Sequence, residues 1–249
     1  NNETNAIEAL EKKLEETKSP QDAEALLEAY SVHMEAHPDD TENNPLYLYR
    51  AASTMFRMNR FSTATDYLLT ALKDYPSSPN SGKASELLSE IYDNKLQSPE
   101  TATTLRQAMV SAYPNYDNIA KVKAEIPSDA VDFSTRMKDM TSKMFNDSTG
   151  RIDYRIANTF ILNSELHALI LPDDQENPFY LHRAAETARS IRVFPKAMEF
   201  YQWIYNKYPD SDRAPQAMFL HAFTLDNDMK QYDEAKTLYE TFLSKYPEN

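Results

Sequence analysis

The chain of 249 residues is 41% hydrophobic and 11% aromatic, so it can bury one large core or two cores in domains of about 110 to 125 residues. Its 39 acidic and 26 basic residues give a formal charge of −13, which argues against binding to nucleic acid or to anionic lipid surfaces. With only two glycines, the chain is unsuited to glycine-rich phosphate loops and nucleophile elbows. It has no cysteine, which excludes disulfides, thiolate metal sites and cysteine nucleophiles.

Prolines divide the chain into units of about 38 residues. Six of them form two triplets, with spacings of 38 and 38 and then of 37 and 38 residues: Pro38, Pro76, Pro114, Pro172, Pro209 and Pro247. Four of the six follow a tyrosine and have an alanine twelve residues upstream. Residues 44–78 and 177–211 also share 13 identities without a gap, at an offset of 133. This pattern predicts a duplicated block of three units.

Each unit is predicted to form two helices, as the stretch from 44 to 75 illustrates. Asn44 is placed to cap the first free N–H groups of a helix over 44–58, and Pro45 fits its first turn. Apolar residues recur at helical spacing along it. After a short turn, a second helix is predicted over 61–75, where the closing proline ends it. Asn177 begins the same arrangement in the second block.

Small residues recur where the helices of a pair should meet. Ala51 and Ala52 on one helix and Ala64 on the other predict a close approach of two helix backbones. Larger side chains there would overpack the seam, at a cost of about 1–3 kcal/mol. We therefore expect Ala197→Leu to lower the melting temperature and Arg189→Ala to leave it unchanged.

Residues 115–129 interrupt the period and are predicted to connect the two blocks. A short helix is expected around 118–125, with Val122 and Ile126 available to dock it. The next two helices are expected over 129–146 and 152–171. The predicted fold is all-α, an α-α superhelix of six helix pairs arranged as two three-pair blocks, 1–114 and 130–249, on either side of the connector.

The units resemble the tetratricopeptide repeat. That pattern has a small residue in the first helix, an alanine and then an aromatic residue four positions later in the second helix, and a closing proline. Ala185, Ala197, Tyr201 and Pro209 match it in the fifth unit, whereas Arg106 replaces the aromatic residue in the third. The resemblance implies a solenoid that binds other proteins, without enzymatic activity, cofactor or catalytic residues.

The unit endings KDYPSSP, NKYPDSDRAPQA and SKYPEN, and the run over 194–223, are similar to tetratricopeptide lipoproteins of the Gram-negative envelope. These are the BamD (YfiO)-like outer-membrane assembly proteins and the Tol-Pal-associated proteins. The resemblance implies a periplasmic location, outer-membrane assembly components as partners, and an outer-membrane anchor through an N-terminal lipidated cysteine. No such cysteine is present, so the anchor is inferred, and a start at Asn1 fits a chain that begins just after one.

Paired carboxylates are the first candidates for chemistry. Asp39 and Asp40 precede a predicted helix, and Asp173 and Asp174 repeat them, so helix-start electrostatics explains them better than acid–base catalysis. The acidic stretch 226–228 lacks the central glycine and distal glutamate of a calcium loop. No catalytic residue and no calcium site is predicted.

Histidines are the second candidates. His33 and His37 are four residues apart, on one face of a predicted helix, but a zinc site needs a third ligand and none is suggested nearby. His33 and His167 both lie five residues before their proline, which indicates an inherited packing position. No metal or cofactor site is predicted.

The predicted functional surface is the concave side, which first helices line in solenoids of this kind. The residues expected to project inward are Tyr49, Ser53, Phe56 and Arg57 in the first block and His182, Glu186, Arg189, Phe219 and Phe223 in the second. Mixed aromatic and charged side chains suit a bound peptide or helix. For each residue the alternative is packing against the neighbouring repeat.

Two other functions remain open at the level of sequence. The 16 tyrosines and the lone Trp203 would suit a glycan- or peptidoglycan-binding module of the envelope, although the apolar neighbours of Trp203 favour packing. The second open function is an enzyme whose catalytic residues are far apart in the sequence. The leading hypothesis is a protein-binding scaffold of the cell envelope.

Overall fold

The computed structural model describes residues 2–145 and 147–249. Within these ranges the chain forms helices and turns, and no β-strand; one isolated antiparallel bridge joins Phe145 and Ile152. The chain divides into two compact units, residues 1–128 and 129–249. The predicted all-α architecture of helix pairs is confirmed.

The first unit contains three helix pairs and a seventh, shorter helix. Its helices are α1 (Asn2–Thr17), α2 (Pro20–Ala36), α3 (Asn43–Arg57), α4 (Phe61–Asp74), α5 (Ser81–Asn94), α6 (Pro99–Ala112) and α7 (Ile119–Ala124). The second unit contains the other three pairs. Its helices are α8 (Phe133–Met144), α9 (Tyr154–Ile170), α10 (Asn177–Ser190), α11 (Phe194–Lys207), α12 (Arg213–Phe223) with a π-helical turn (Thr224–Asp228), and α13 (Tyr232–Lys245).

The predicted helix boundaries agree with these bounds to within a few residues. The largest difference is at α8, which begins at Phe133 rather than at 129, because Asp132 caps it by accepting a hydrogen bond from the Thr135 N–H. The predicted end of that helix, Asn146, lies outside the described residues. None of the helices in the described ranges combines the length and the apolar character that a membrane span requires.

In all six pairs, one of the described residues in the turn between the two helices lies in the left-handed region. These residues are Lys18, Asn59, Gln97, Gly150, Arg192 and Lys230, with φ between 51° and 63°. Side chains other than glycine adopt this conformation at a cost of about 1–2 kcal/mol. The turn geometry is therefore constant through the repeats although its residue is not.

The alanines of the predicted seams are buried where the helices of a pair meet. Ala51, Ala52, Ala64 and Ala197 are each 0–1% exposed. In the second unit, Ala197 belongs to a continuous apolar core that also contains Phe200. Because a methyl group lets two helix backbones approach closely, we expect the packing of these pairs to depend on the alanines.

Asn44 does not cap α3, contrary to the prediction. The helix begins one residue earlier, and the buried Asn44 amide donates to the backbone carbonyl of His37 at 2.8 Å and to the Tyr75 hydroxyl at 3.2 Å. The His37 carbonyl lies at the end of α2, where backbone carbonyls have no intrahelical donor. The Asn44 amide satisfies this carbonyl instead of capping α3. Asn44 thus ties the end of α2 and the end of α4 to the start of α3.

Asn177 makes the same connections in the second unit. Its amide donates to the Leu171 carbonyl at 2.7 Å and to the Tyr208 hydroxyl at 3.0 Å, and that hydroxyl donates to the Pro172 carbonyl at 2.7 Å. In both units, therefore, the asparagine at the start of the first helix and the tyrosine before the closing proline belong to the same hydrogen-bonded contact.

The stretch predicted as a connector packs onto the end of the first unit. Val122 on α7 is completely buried, and Glu86 on α5 accepts hydrogen bonds from the Tyr116 hydroxyl and, at 3.0 Å each, from Asn118 and Lys121. A Cβ at Gly82 would lie 2.8 Å from the Tyr116 ring, so glycine is needed for this contact. The chain up to Ser128 thus belongs to the first unit.

Arg106, the departure from the repeat pattern in α6, has a structural explanation. Its side chain is 5% exposed, and its guanidinium lies 2.7 Å from the Asp93 carboxylate on α5 and 3.3 Å from the Glu125 carboxylate just after α7. An aromatic residue there could not pair with either carboxylate. Arg106 joins the third pair to α7.

Candidate protein-binding faces

In the first unit, two of the four predicted residues line an open groove between α1 and α3. Ser53 and Arg57 border a cavity of about 190 Å³ together with Glu11, Leu14 and Glu15 of α1. A second cavity, of about 720 Å³, continues from Arg57 past Lys18 and Arg60. We call these two cavities together the α1–α3 groove.

The floor of the α1–α3 groove is fixed by ion pairing. Arg50 on α3 donates to both oxygens of the Glu11 carboxylate, at 2.7 and 3.0 Å, and the Tyr30 hydroxyl donates to the same carboxylate at 2.6 Å. At the rim, Lys18 and Arg57 have no acidic partner within 4 Å among the residues that the structure describes. The groove therefore offers two cations to a ligand.

Phe56 and Tyr49, the other two predicted residues of the first unit, also lie on α3 but do not line the groove. The Phe56 ring meets the Phe61 ring edge-on at 5.6 Å, and the Lys95 ammonium lies 5.8 Å from it. Burial raises the pKa of the Tyr116 hydroxyl, as do the Glu86 carboxylate and, more weakly, the nearby Tyr49. Packing accounts for the position of Phe56, and Tyr49 is partly buried.

In the second unit, three predicted residues and one further residue form what we call the α10–α12 cluster: Glu186, Arg189, Phe223 and Asp228. The Arg189 guanidinium donates to the Asp228 carboxylate at 2.8 and 3.1 Å and lies 5.3 Å from the Phe223 ring centre. Glu186 is half exposed beside them. This arrangement joins a cation, two carboxylates and an aromatic face.

Arg189 therefore has a structural role that the sequence did not show. Asp228 is 16% exposed, and removing Arg189 would leave its carboxylate without this partner. Because of this ion pair, we expect Arg189→Ala to lower the melting temperature slightly rather than to leave it unchanged. Asp228 lies in the π-helical turn. The sequence of this acidic stretch, 226–228, invites comparison only with a calcium loop and does not predict the pairing with Arg189.

His182 and Phe219 are placed differently from the prediction. His182 is 1% exposed, with its ring edge-on to Tyr201 at 6.0 Å and Nδ1 3.9 Å from the Glu186 carboxylate, and burial lowers its pKa. Phe219 is 42% exposed but packs on α13, 5.7 Å from the rings of both Tyr239 and Phe242. The geometry supplies a packing role for both side chains.

Trp203 packs in the second unit. Its ring centre lies 6.3 Å from that of Phe200, a fully buried residue of the core, and the indole borders that core. An indole held in this way presents little of its face to a sugar ring.

Burial of His221 makes the second unit sensitive to acid. Its Nδ1 lies 3.0 Å from the Tyr205 hydroxyl, and burial lowers its pKa from 6.5 to about 4. The folded state keeps the ring neutral while the unfolded chain protonates it, so its contribution to stability is present above pH 6.5 and is lost as the pH falls toward about 4. Burial also lowers the pKa of His167 and His182, which act in the same direction.

We therefore expect the melting temperature to fall between pH 6.5 and pH 4, and to fall less in His221→Gln, which cannot be protonated. Thermal unfolding followed by circular dichroism across this range measures both slopes. Equal slopes for the two proteins would contradict the assignment to His221.

Comparison with known proteins identifies the repeat. The family model for the tetratricopeptide repeat matches residues 47–78 and 216–249, which include α4 and α13 and parts of their partner helices. These two stretches thus match the tetratricopeptide repeat, a repeat that typically serves as a scaffold for binding other proteins. No curated protein matches the chain.

One solved structure that the chain matches is the complex of the TPR2AB domain of yeast Sti1 with pHSP90. The alignment covers 97% of this chain and 90% of that chain, with 15% sequence identity and a TM-score of 0.39.

Proposed function

We propose that the chain is a non-enzymatic scaffold that binds a segment of another protein in the α1–α3 groove. The observation that carries this proposal is the pair of cations at the rim, Lys18 and Arg57, which have no acidic partner among the described residues. These two cations outnumber Glu15, which also lines the cavity of about 720 Å³, and they favour an acidic segment as the ligand. The α10–α12 cluster offers a second contact surface of mixed charge in the other unit.

Site-specific photo-crosslinking in cells tests this proposal. A photoreactive residue at Ser53 should give a discrete crosslinked product, whereas one at Thr70, exposed on the second helix of the same pair, should not. In the second unit, Glu186 and the exposed Gln202 of α11 form the matched pair of positions.

Charge reversal at the rim is the specificity control. Arg57→Glu should reduce the product at Ser53 by about tenfold or more, since like charges across an interface cost over 1.4 kcal/mol. Its melting temperature should equal that of the wild type because Arg57 is exposed. Equal products from Ser53 and Thr70, or no effect of Arg57→Glu, would contradict binding in the groove.

For the cellular setting, we propose the periplasm, with a lipid anchor in the outer membrane and outer-membrane assembly components as partners. The support is the similarity of the Tyr-Pro unit endings to those of envelope lipoproteins. Fractionation of cells that express the native gene should place the protein with the outer membrane, and globomycin, which blocks lipoprotein processing, should retain a larger precursor. Recovery from the cytosol would contradict this setting.

A further inference from the structure

A group of metal-ligating side chains lies in the first unit, away from both candidate faces. Glu3 is in the first turn of α1, His33 is in the last turn of α2, and His37 follows that helix directly. One ligand atom from each lies within 4.8 Å of the others. The Glu3 carboxylate oxygen is 2.8 Å from His37 Nε2 and 3.9 Å from His33 Nδ1. Glu3 is the third ligand that the sequence did not suggest.

His33 is held in the orientation that a metal ligand requires. The residue is 4% exposed, and its Nε2 lies 3.1 Å from the Asp40 carboxylate. Its Nδ1 is buried and has no hydrogen-bond partner in the part of the chain that the structure describes. A carboxylate on one ring nitrogen fixes the tautomer and leaves the lone pair of the other nitrogen free for a metal.

The second unit shows which part of this arrangement is structural. His167 and Asp174, each 134 residues after His33 and Asp40, form the same pair at 2.8 Å. There Leu171 replaces His37, and the Phe133 ring stacks on the His167 ring at 3.8 Å. Packing therefore explains the His–Asp pair in both units, whereas His37, which shares a hydrogen bond of 2.8 Å with Glu3, has no counterpart in the second unit.

We propose that Glu3, His33 and His37 bind a zinc ion, with a fourth position open to solvent. Two imidazole nitrogens and one carboxylate oxygen are a common ligand set for zinc with an open position. Zinc–ligand bonds near 2.1 Å place tetrahedral ligand atoms about 3.4 Å apart, and the present separations of 2.8 Å and 3.9 Å lie on either side of that value. Glu3 and His37, which are 58% and 43% exposed, can rotate to close the difference.

Zinc at this position would join the start of α1 to the end of α2. The two segments are 30 residues apart in sequence, so the ion would close the first helix pair and oppose fraying of α1. The bound form should unfold at a higher temperature than the metal-free form.

Calorimetric titration of the metal-free full chain with Zn²⁺, in a buffer with a weak competing chelator, tests the site. We expect one ion per chain and a higher melting temperature with zinc. His37→Leu, which places the second-unit residue in the first unit, should abolish binding, and Asp40→Asn should weaken it about 10–100-fold. His167→Gln, the matched control, should bind zinc as the wild type does.

Co²⁺ absorption gives an independent readout, since a four-coordinate site has an intense visible band that hexaaqua cobalt lacks. Binding that persists unchanged in His37→Leu, or that is absent from the wild type, would overturn the proposal. Because His37 is half exposed, His37→Leu should fold normally, and its melting temperature without metal should confirm this.

Discussion

Replacing Asn177 by leucine is expected to lower the free energy of unfolding of the second unit by about 1–3 kcal/mol, since it removes two hydrogen bonds that contribute about 0.5–1.5 kcal/mol each. The amide is 1% exposed and serves two acceptors, the Leu171 carbonyl and the Tyr208 hydroxyl. Leucine has a similar volume but no donor. Urea unfolding followed by the fluorescence of Trp203 reports on this unit directly.

Asn206→Leu on the exposed side of α11 is the control for added apolar surface and should change stability by less than about 0.5 kcal/mol. A double-mutant cycle with Tyr208→Phe should show coupling between Asn177 and Tyr208, because the two side chains share one hydrogen bond. Stability of Asn177→Leu within 0.5 kcal/mol of the wild type, or strict additivity in the cycle, would show that the link is dispensable.

Replacing Ala197 by leucine should destabilise the same unit by about 1–3 kcal/mol, because the seam between helices has no space for three additional carbons. Ala197 is completely buried in the core that contains Phe200 and Tyr201. The loss should appear as a lower midpoint of urea unfolding with an unchanged slope, since the same surface is exposed on unfolding.

Gln202→Leu is the matched comparison for Ala197→Leu. It adds leucine to the exposed side of the same helix, where the side chain meets solvent rather than a neighbouring backbone. Its midpoint should stay close to that of the wild type. An Ala197→Leu protein as stable as Gln202→Leu would show that the helices do not depend on a small residue at the seam.

The helix pairs were predictable because their signals are local and repeat. Prolines at a fixed spacing, alanines at the seams and apolar periodicity each constrain a few neighbouring residues, and six copies reinforce one another. The turn conformation was not predictable. Four of the six left-handed residues are Lys, Gln or Arg, none of which signals a positive φ as glycine or asparagine does.

Contacts between distant residues account for the other failures. Asn44 is a residue type that often caps helices, which is why the sequence predicts a cap. Its actual partner, Tyr75, lies 31 residues away in the sequence and is brought close only by the fold. Arg189 reaches Asp228 across 39 residues, and Glu3 reaches His33 across 30. No spacing rule links such positions, since each distance depends on how two helices pack.

The position of α7 bears on how such an array can lengthen during evolution. Tyr116 over Gly82 and the buried Val122 occupy the end of the third pair, which is where a fourth pair would have to stack. Insertion of a single repeat after α6 would therefore displace a segment that is already docked.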